Sequence, residues 1–275
     1  MSQERLFTEG GNSALKLQKG AFSFMRNVVC IPAFEPDERL LKLIDSLEEA
    51  GLISIVITDD GSGSRYTPVF IRAEEKGCVI VRHEHNLGKG AAIKTAIEKA
   101  VYQFGKEIRV ITADADGKYL PRDIIRISDT LESYPDHLVL GVRDFGKDSV
   151  PLRSNIGNKI TSAFFKSYTG VYCSDTQTGL RGIPSSLIPL ALSVSGDRYD
   201  YELNFLIEAV GKAPLIMIPI ETVRDSTGAG SRFRPLADSL LMYKKPLGKA
   251  GLGLAAFGIL VVAADHIIRN SNKPE

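Results

Sequence analysis

The sequence predicts an α/β fold in which helices flank a mostly parallel sheet. Short apolar runs rich in Ile and Val alternate with stretches of helical period, which is the pattern of repeated strand–helix units. Two of these runs, at residues 53–58 and 109–113, end in acidic clusters that are followed by glycine. Ligands of open α/β sheets bind beyond the carboxyl ends of the strands, so both clusters mark an expected ligand site.

The predicted elements follow one another regularly as far as residue 142. Helices are indicated by apolar residues three and four positions apart and by glycines at their ends, and strands by continuous apolar runs. The predicted strands are residues 28–32, 53–58, 78–82, 109–113 and 138–142, and the predicted helices are residues 37–50, 67–76, 91–104 and a segment after Pro121.

The regular alternation of predicted strands and helices ends at Asp144. Helices are predicted at residues 155–168 and 199–211, and a short strand at 215–219, with the motif of residues 173–181 between the helices. We interpret this half as part of the same domain and not as an independent domain.

The end of the chain is strongly apolar. Residues 250–264 contain no charged side chain, and the longer stretch of residues 247–268 contains Lys249, Asp265 and His266 only near its ends. A membrane-spanning helix needs about 20 apolar residues, so a spanning helix is the first expectation. An interfacial helix or hairpin and a packing helix of a soluble protein are the alternatives. Several lysines precede the run, which predicts a cytoplasmic main domain on the cell membrane.

These patterns divide the chain into an N-terminal tail at residues 1–25, a main domain at 26–245 and a hydrophobic, membrane-associated segment at 246–275.

The composition bears on partners and compartment. A formal net charge of +1 argues against a broad nucleic-acid-binding surface. The three cysteines are scattered without zinc spacing, which fits reduced, buried thiols. The first residues lack the apolar core of a signal peptide. The sequence does not determine the oligomeric state, and it is compatible with a homo-oligomer.

Acidic residues close two of the predicted parallel strands. Asp114 and Asp116 are separated by one residue and followed by Gly117, which allows a sharp turn, while Asp59 and Asp60 close an earlier strand. Each cluster alone is equally typical of a turn or a helix cap. Together at one sheet edge they favour a diphosphate bound with a hard divalent cation.

The loop Asn86–Gly90 precedes a predicted helix and contains Lys89 between two glycines. It lacks the P-loop spacing, and Ala91 stands where that motif has a hydroxyl. It also lacks the third glycine of the dinucleotide fingerprint, which disfavours a dehydrogenase. What remains is a glycine-rich helix start with a cation suited to a nucleotide, or a plain tight turn.

Four motifs in this order resemble the family-2 glycosyltransferases of the GT-A fold: residues 31–35 (IPAFE), 59–62 (DDGS), 86–90 (NLGKG) and 114–117 (DADG). Further motifs narrow the resemblance to the polyprenyl-phosphate sugar transferases, which include dolichyl-phosphate mannose synthases and bactoprenol glucosyltransferases. They are residues 140–143 (LGVR), 175–181 (DTQTGLR), 199–202 (YDYE) and 230–235 (GSRFRP). The likeness covers roughly residues 26–245.

The resemblance implies a role for particular side chains. Asp116, with Asp114, would hold Mg²⁺ or Mn²⁺, and Asp60 would face the base. The implied donor-binding residues are Pro32, Ala33, Glu35, Asp60, Lys89 and Asp114. The implied catalytic residues are Asp116, Asp175 and Arg181, and the implied acceptor-phosphate residues are Arg143, Arg181, Ser231 and Arg232.

The expected function is the inverting, metal-dependent transfer of a sugar from a nucleotide sugar, with UDP favoured, to a polyprenyl phosphate at the cytoplasmic membrane face. A lipid phosphate is already anionic and needs cations rather than a general base. The nearest alternative is transfer to a saccharide hydroxyl, which would need Asp175, Asp200 or Glu202 as a base. A non-catalytic nucleotide-sugar-binding protein is the alternative of another class.

Overall fold

A computed structural model describes residues 25–143, 161–163 and 165–221. Its strands are β1 (Arg26–Ala33), β2 (Ile55–Asp59), β3 (Val79–Arg82), β4 (Ile108–Thr112), β5 (Leu138–Arg143), β6 (Arg181–Ile183) and β7 (Leu215–Ile220). Its helices are α1 (Glu38–Glu49), α2 (Thr67–Glu75), α3 (Lys89–Phe104), α4 (Pro121–Ser133), α5 (161–163 and 165–169), α6 (Ile188–Ser193) and α7 (Asp200–Ala209), with short 3₁₀ turns at Ser64–Tyr66 and Ser185–Leu187.

The described strands form one sheet in the order β3-β2-β1-β4-β6-β5-β7. Neighbours are parallel except around β6, which runs antiparallel to both β4 and β5. The mostly parallel α/β sheet predicted from the sequence is thus confirmed. Strand β6 was not predicted, because its three residues contain no apolar period and it is defined only by its two neighbours.

Helices cover both faces of the sheet, which explains the continuous apolar runs of the strands. In β1, Val28 and Cys30 belong to a core with α3, α6 and α7, while Val29 and Ile31 belong to a core with α1, α2 and α4. Side chains alternate along a strand, so each apolar run serves both layers.

Strand β6 is covered very closely by α4. A Cβ atom at Gly182 would lie 2.8 Å from Ile127 Cγ2 and 2.8 Å from Leu131 Cδ1. Only glycine leaves room for these two side chains. The strand that sequence patterns miss is therefore fixed by its packing.

The carboxyl ends of β1, β2, β4 and β5 meet at one edge of the sheet. Ala33 at the end of β1 is in register with Asp59 at the end of β2, and Arg143 ends β5. Asp114 follows two residues after β4. This edge therefore gathers the predicted donor residues with one predicted acceptor residue.

None of the described helices has both the length and the apolar character to cross a bilayer. The apolar segment 247–268 lies outside the described residues, as do Ser231, Arg232 and residues 1–24 of the predicted tail. The predicted C-terminal hydrophobic helix and membrane segment thus stay predictions.

Candidate active site

Lys89 lies between two carboxylates at this edge. As the first residue of α3, it places its Nζ 2.7 Å from Asp114 Oδ1 and 2.9 Å from Glu202 Oε1. Asp114 comes from the turn after β4, and Glu202 from the first turn of α7. One ammonium thus links the two halves of the chain.

The charges of this cluster support one another. Burial alone would lower the pKa of Lys89, but Asp114 and Glu202 raise that pKa well above its ordinary value. Burial alone would raise the pKa of Asp114, but Lys89, together with Lys118 and Arg143, lowers it. The lysine therefore stays charged and the aspartate ionised at neutral pH.

The segment before β6 closes over this ion pair. A Cβ atom at Gly179 would lie 2.9 Å from both Lys89 Nζ and Asp114 Oδ1. Thr112 Oγ1 donates to the Gly179 carbonyl at 2.7 Å, and the Gly179 N–H donates to the Tyr119 hydroxyl at 2.8 Å. Glycine is thus required for the backbone to lie against the charged pair.

Arg143 and Asp175 form a two-pronged ion pair beside this cluster. Arg143 Nε and Nη2 donate to Asp175 Oδ2 and Oδ1 at 2.6 and 2.9 Å. Asp175 is 0% exposed and also accepts the N–H of Gln177 at 3.2 Å, while the Arg143 side chain is 27% exposed. Burial lowers the pKa of Arg143, but the bond to Asp175 outweighs it and raises that pKa. Asp175 therefore orients Arg143 and has no free oxygen positioned as a base.

The structure encloses Arg181, which the resemblance implies as a catalytic and acceptor-phosphate residue. This side chain is 2% exposed, and its guanidinium donates to the backbone carbonyls of Thr178, Glu202 and Thr176 at 2.9, 2.6 and 3.4 Å. A guanidinium buried in this way cannot reach an acceptor phosphate without breaking these bonds. Arg181 instead supports the turn that carries Asp175 and Gly179.

Asp116 lies in the turn after β4, at this edge of the sheet. Gly117 has φ +70°, as expected for the residue that turns the chain there. The Asp116 carboxylate is 35% exposed, accepts the N–H of Lys118 at 3.1 Å and pairs with the Lys118 ammonium. It is accessible to a ligand from solvent.

The carboxylate oxygens at this turn fit a divalent cation bound with a diphosphate. The described residues contain no group of three or more His, Cys, Asp or Glu side chains that could hold a metal ion by themselves. Mg²⁺ is commonly bound through one or two carboxylates, with substrate phosphates and water completing the shell. Asp116 and Asp114 supply oxygens of that kind.

The residues after β1 lie beside those after β2. The Glu35 N–H donates to Ser62 Oγ at 2.8 Å, and Glu35 has φ +53°, an uncommon value for a residue with a side chain. Ala33 is buried and Pro32 is half-buried. The loop of residues 34–36 is thus fastened to the Asp59–Ser62 turn.

Asp60 is more enclosed than the resemblance suggests. It is 3% exposed, and its carboxylate accepts from His83 Nδ1 at 2.8 Å and from the N–H groups of Leu87 and Gly88 at 2.9 and 3.0 Å. A carboxylate has about four acceptor positions. Three are used within the chain, so a contact with a base would have to use the fourth.

Several residues of this site did not stand out in the sequence. His83 and Tyr119 belong to none of the motifs recognised in the sequence, although His83 directly follows β3. The position of a histidine immediately after a strand was a usable signal. Tyr119 is brought to the site by tertiary packing and gave no signal. Gly179 lies within the motif of residues 175–181, but its close approach to Lys89 and Asp114 depends on tertiary packing.

Comparison with known proteins places the chain in a family. The model of glycosyl transferase family 2 matches residues 28–181, more than half of the chain. A UDP-N-acetylglucosamine–dolichyl-phosphate N-acetylglucosaminyltransferase of Methanococcus voltae is 28% identical over 212 residues, which are 70% of this chain and 84% of the relative. An uncharacterized protein of Methanocaldococcus jannaschii is 28% identical over 200 residues, 71% and 80% of the two chains.

Solved structures share the fold. Glucosyl-3-phosphoglycerate synthase from Mycobacterium tuberculosis in complex with uridine diphosphate superposes with a TM-score of 0.60 at 18% identity, covering 83% of this chain and 81% of that one. The complex of that enzyme with Mn²⁺, uridine diphosphate and phosphoglyceric acid gives a TM-score of 0.59 at 18% identity and covers 82% and 76%. The chain therefore belongs to glycosyl transferase family 2 and is a glycosyltransferase of the GT-A fold that resembles polyprenyl-phosphate sugar transferases.

Proposed function

We propose that the protein transfers a sugar with inversion from a UDP-sugar to a polyprenyl phosphate at the cytoplasmic face of the cell membrane. The named relative from Methanococcus voltae, which acts on a dolichyl phosphate, supports this acceptor class. The pairing of the site carboxylates is the observation that carries the proposal, because it favours a phosphate acceptor over a hydroxyl acceptor.

Two of the three carboxylates that a hydroxyl acceptor would need are paired with a cation. Asp175 is bound by Arg143 and the Gln177 N–H, and Glu202 lies 2.9 Å from the Lys89 ammonium. Asp200 accepts the N–H of Arg198 at 3.1 Å near the start of α7, which leaves acceptor positions on its carboxylate, so Asp200 is the candidate base that the assay below tests. A general base must be free to accept a proton. This arrangement favours an acceptor that is already anionic.

The chemistry then needs no proton abstraction from the acceptor. An oxygen of the acceptor phosphate attacks the anomeric carbon, and the bond from that carbon to the diphosphate breaks as the new bond forms. Arg143, held rigidly by Asp175, orients the incoming phosphate, because a guanidinium binds phosphate through two parallel hydrogen bonds. Lys89 neutralises charge on the diphosphate that leaves.

Binding of the donor is assigned to the β1, β2 and β4 ends. Asp116, with Asp114, would hold Mg²⁺ or Mn²⁺. Such a cation offsets the negative charge that develops on the departing diphosphate. Complexes of the structural neighbour with Mn²⁺ or Mg²⁺ and uridine diphosphate support a divalent cation and a uridine donor. Pro32, Ala33, Glu35 and Asp60 would enclose the nucleoside.

A transfer assay tests this function. Detergent-purified protein is incubated with a panel of nucleotide sugars and a polyprenyl phosphate, and the lipid product is identified by its mass. We expect a polyprenyl-phosphate sugar, formed at rates that stay within about threefold between pH 6 and pH 8, since no base of raised pKa takes part. Asp200→Asn should keep substantial activity. Transfer to a saccharide hydroxyl, abolished by Asp200→Asn, would favour the alternative acceptor class.

A further inference from the structure

We propose that His83 is a positioning residue of the donor site that acts on Lys89 through Asp60 and the loop of residues 83–88. The imidazole bridges two elements: Nδ1 lies 2.8 Å from Asp60 Oδ1 after β2, and Nε2 lies 3.0 Å from Thr95 Oγ1 in α3. The side chain is 9% exposed. It is therefore built into the protein and does not serve as a surface group.

The direction of the hydrogen bonds follows from Asp60. Its Oδ1 and Oδ2 accept the N–H groups of Leu87 and Gly88, which is the behaviour of an ionised carboxylate. An ionised carboxylate only accepts, so His83 Nδ1 carries the proton and donates it. His83 thus completes the set of donors around a nearly buried negative charge.

The loop that Asp60 binds is held on both sides by close backbone packing. A Cβ atom at Gly61 would lie 2.4 Å from the carbonyl carbon of His85, and one at Gly88 would lie 2.4 Å from the carbonyl oxygen of Asp197. The Ala91 N–H also donates to that Asp197 carbonyl at 3.0 Å. This close packing leaves the loop no room to adjust locally if its hydrogen bonds change.

Lys89 is the next residue along the chain and the first of α3. A shift of Leu87 and Gly88 would therefore move the lysine relative to Asp114, which its ammonium contacts at 2.7 Å. Misplacement of a binding group by about 1 Å can cost about a hundredfold in rate. The inference rests on the proposed function in one respect, namely that Lys89 acts on the donor diphosphate.

Two substitutions of similar shape separate positioning from packing. In His83→Asn the side-chain amide can still donate a hydrogen bond to Asp60. In His83→Leu the side chain has no group that could donate one. Binding of UDP with Mg²⁺ is measured by calorimetry on the full-length protein. We expect His83→Leu to weaken UDP binding about tenfold and His83→Asn to stay within about threefold of wild type. His85→Gln, an exposed histidine of the same loop, is the control and should bind UDP as wild type does.

A double-substitution cycle tests whether Lys89 carries the effect. With Lys89→Met as background, adding His83→Leu should weaken UDP binding no further, although it should lower the melting temperature as it does in the wild type. Full additivity, unchanged UDP binding in His83→Leu, or equal losses in the Leu and Asn variants would each overturn the proposal. Calorimetry with UDP uses no acceptor, so a failure to find polyprenyl-phosphate transfer would leave this test intact.

Discussion

At the scale of single residues, Lys89 and Asp114 form an ion pair at the sheet edge that carries the candidate site. The raised pKa of Lys89 means that its contribution to stability is lost only as pH rises through that raised value. The lowered pKa of Asp114 means that its contribution is lost only as pH falls through that lowered value. The pair therefore persists across the neutral range.

Asp116 gives the first prediction at this scale. Its carboxylate is one-third exposed and takes no part in the apolar core, so Asp116→Ala should leave the melting temperature nearly unchanged. Transfer should fall by at least about a hundredfold, because the site loses a ligand for the cation. EDTA should have the same effect on the wild type, and added Mg²⁺ or Mn²⁺ should restore activity.

The measurement is the initial rate of product formation, with unfolding followed on the same samples. Asp136→Ala is a suitable control, since Asp136 lies in the turn between α4 and β5, at the opposite end of β5 from Arg143. Full activity of the wild type in excess EDTA would contradict a metal-dependent reaction.

At the scale of elements, the sequence predicts the parts of the fold that carry a regular apolar pattern. Strands β1 to β5 and their alternation with helices follow from such patterns. Strand β6 does not, because its pairing with β4 and β5 and its cover by α4 are tertiary effects. For the same reason the motifs indicate Asp114 and Lys89 separately but do not predict their contact or the burial of Arg181.

Gly182 provides a prediction for the element that sequence analysis missed. Gly182→Ala should lower the free energy of unfolding by about 1–3 kcal/mol, because the added methyl overlaps Ile127 and Leu131 of α4. Denaturant unfolding in a fixed detergent measures the change. Gly211→Ala is the matched control, since the nearest atom that its Cβ would meet is 4.0 Å away. Equal stability of the two variants would show that α4 adjusts freely over β6.

At the scale of the whole molecule, the described residues hold the proposed donor-binding and acceptor-binding elements in one sheet. Its last described strand, β7, pairs in parallel with β5, so Ile220 lies beside Arg143 at the edge that carries the site. The chain leaves the described region from that edge. Glu221 is held there by the carboxylate of Asp123, which accepts its N–H at 3.1 Å, and by an ion pair with Arg122 at 2.6 Å.

The tail beyond this point gives the prediction at molecular scale. Polyprenyl phosphate is confined to the bilayer, and an enzyme attached to the bilayer meets it at a high effective concentration. Deletion of residues 247–275 should release the protein into the soluble fraction and weaken use of long-chain acceptors. UDP binding should be unchanged, since its predicted residues lie at 32–116. Fractionation with a carbonate wash and UDP calorimetry measure the two effects, and a full-length protein that is soluble without detergent would contradict the membrane assignment.

The position of β6 also determines how the chain can be divided. This strand comes from the second half of the sequence but lies between β4 and β5, which both come from the first half. A fragment that ended at residue 143 would leave a gap in the middle of its sheet, with two unpaired strand edges facing each other. Exchange of acceptor halves between relatives, or expression of the two halves as separate modules, would therefore have to rebuild the sheet centre, so engineering of acceptor choice is better directed at side chains around Arg143 than at transplanted segments.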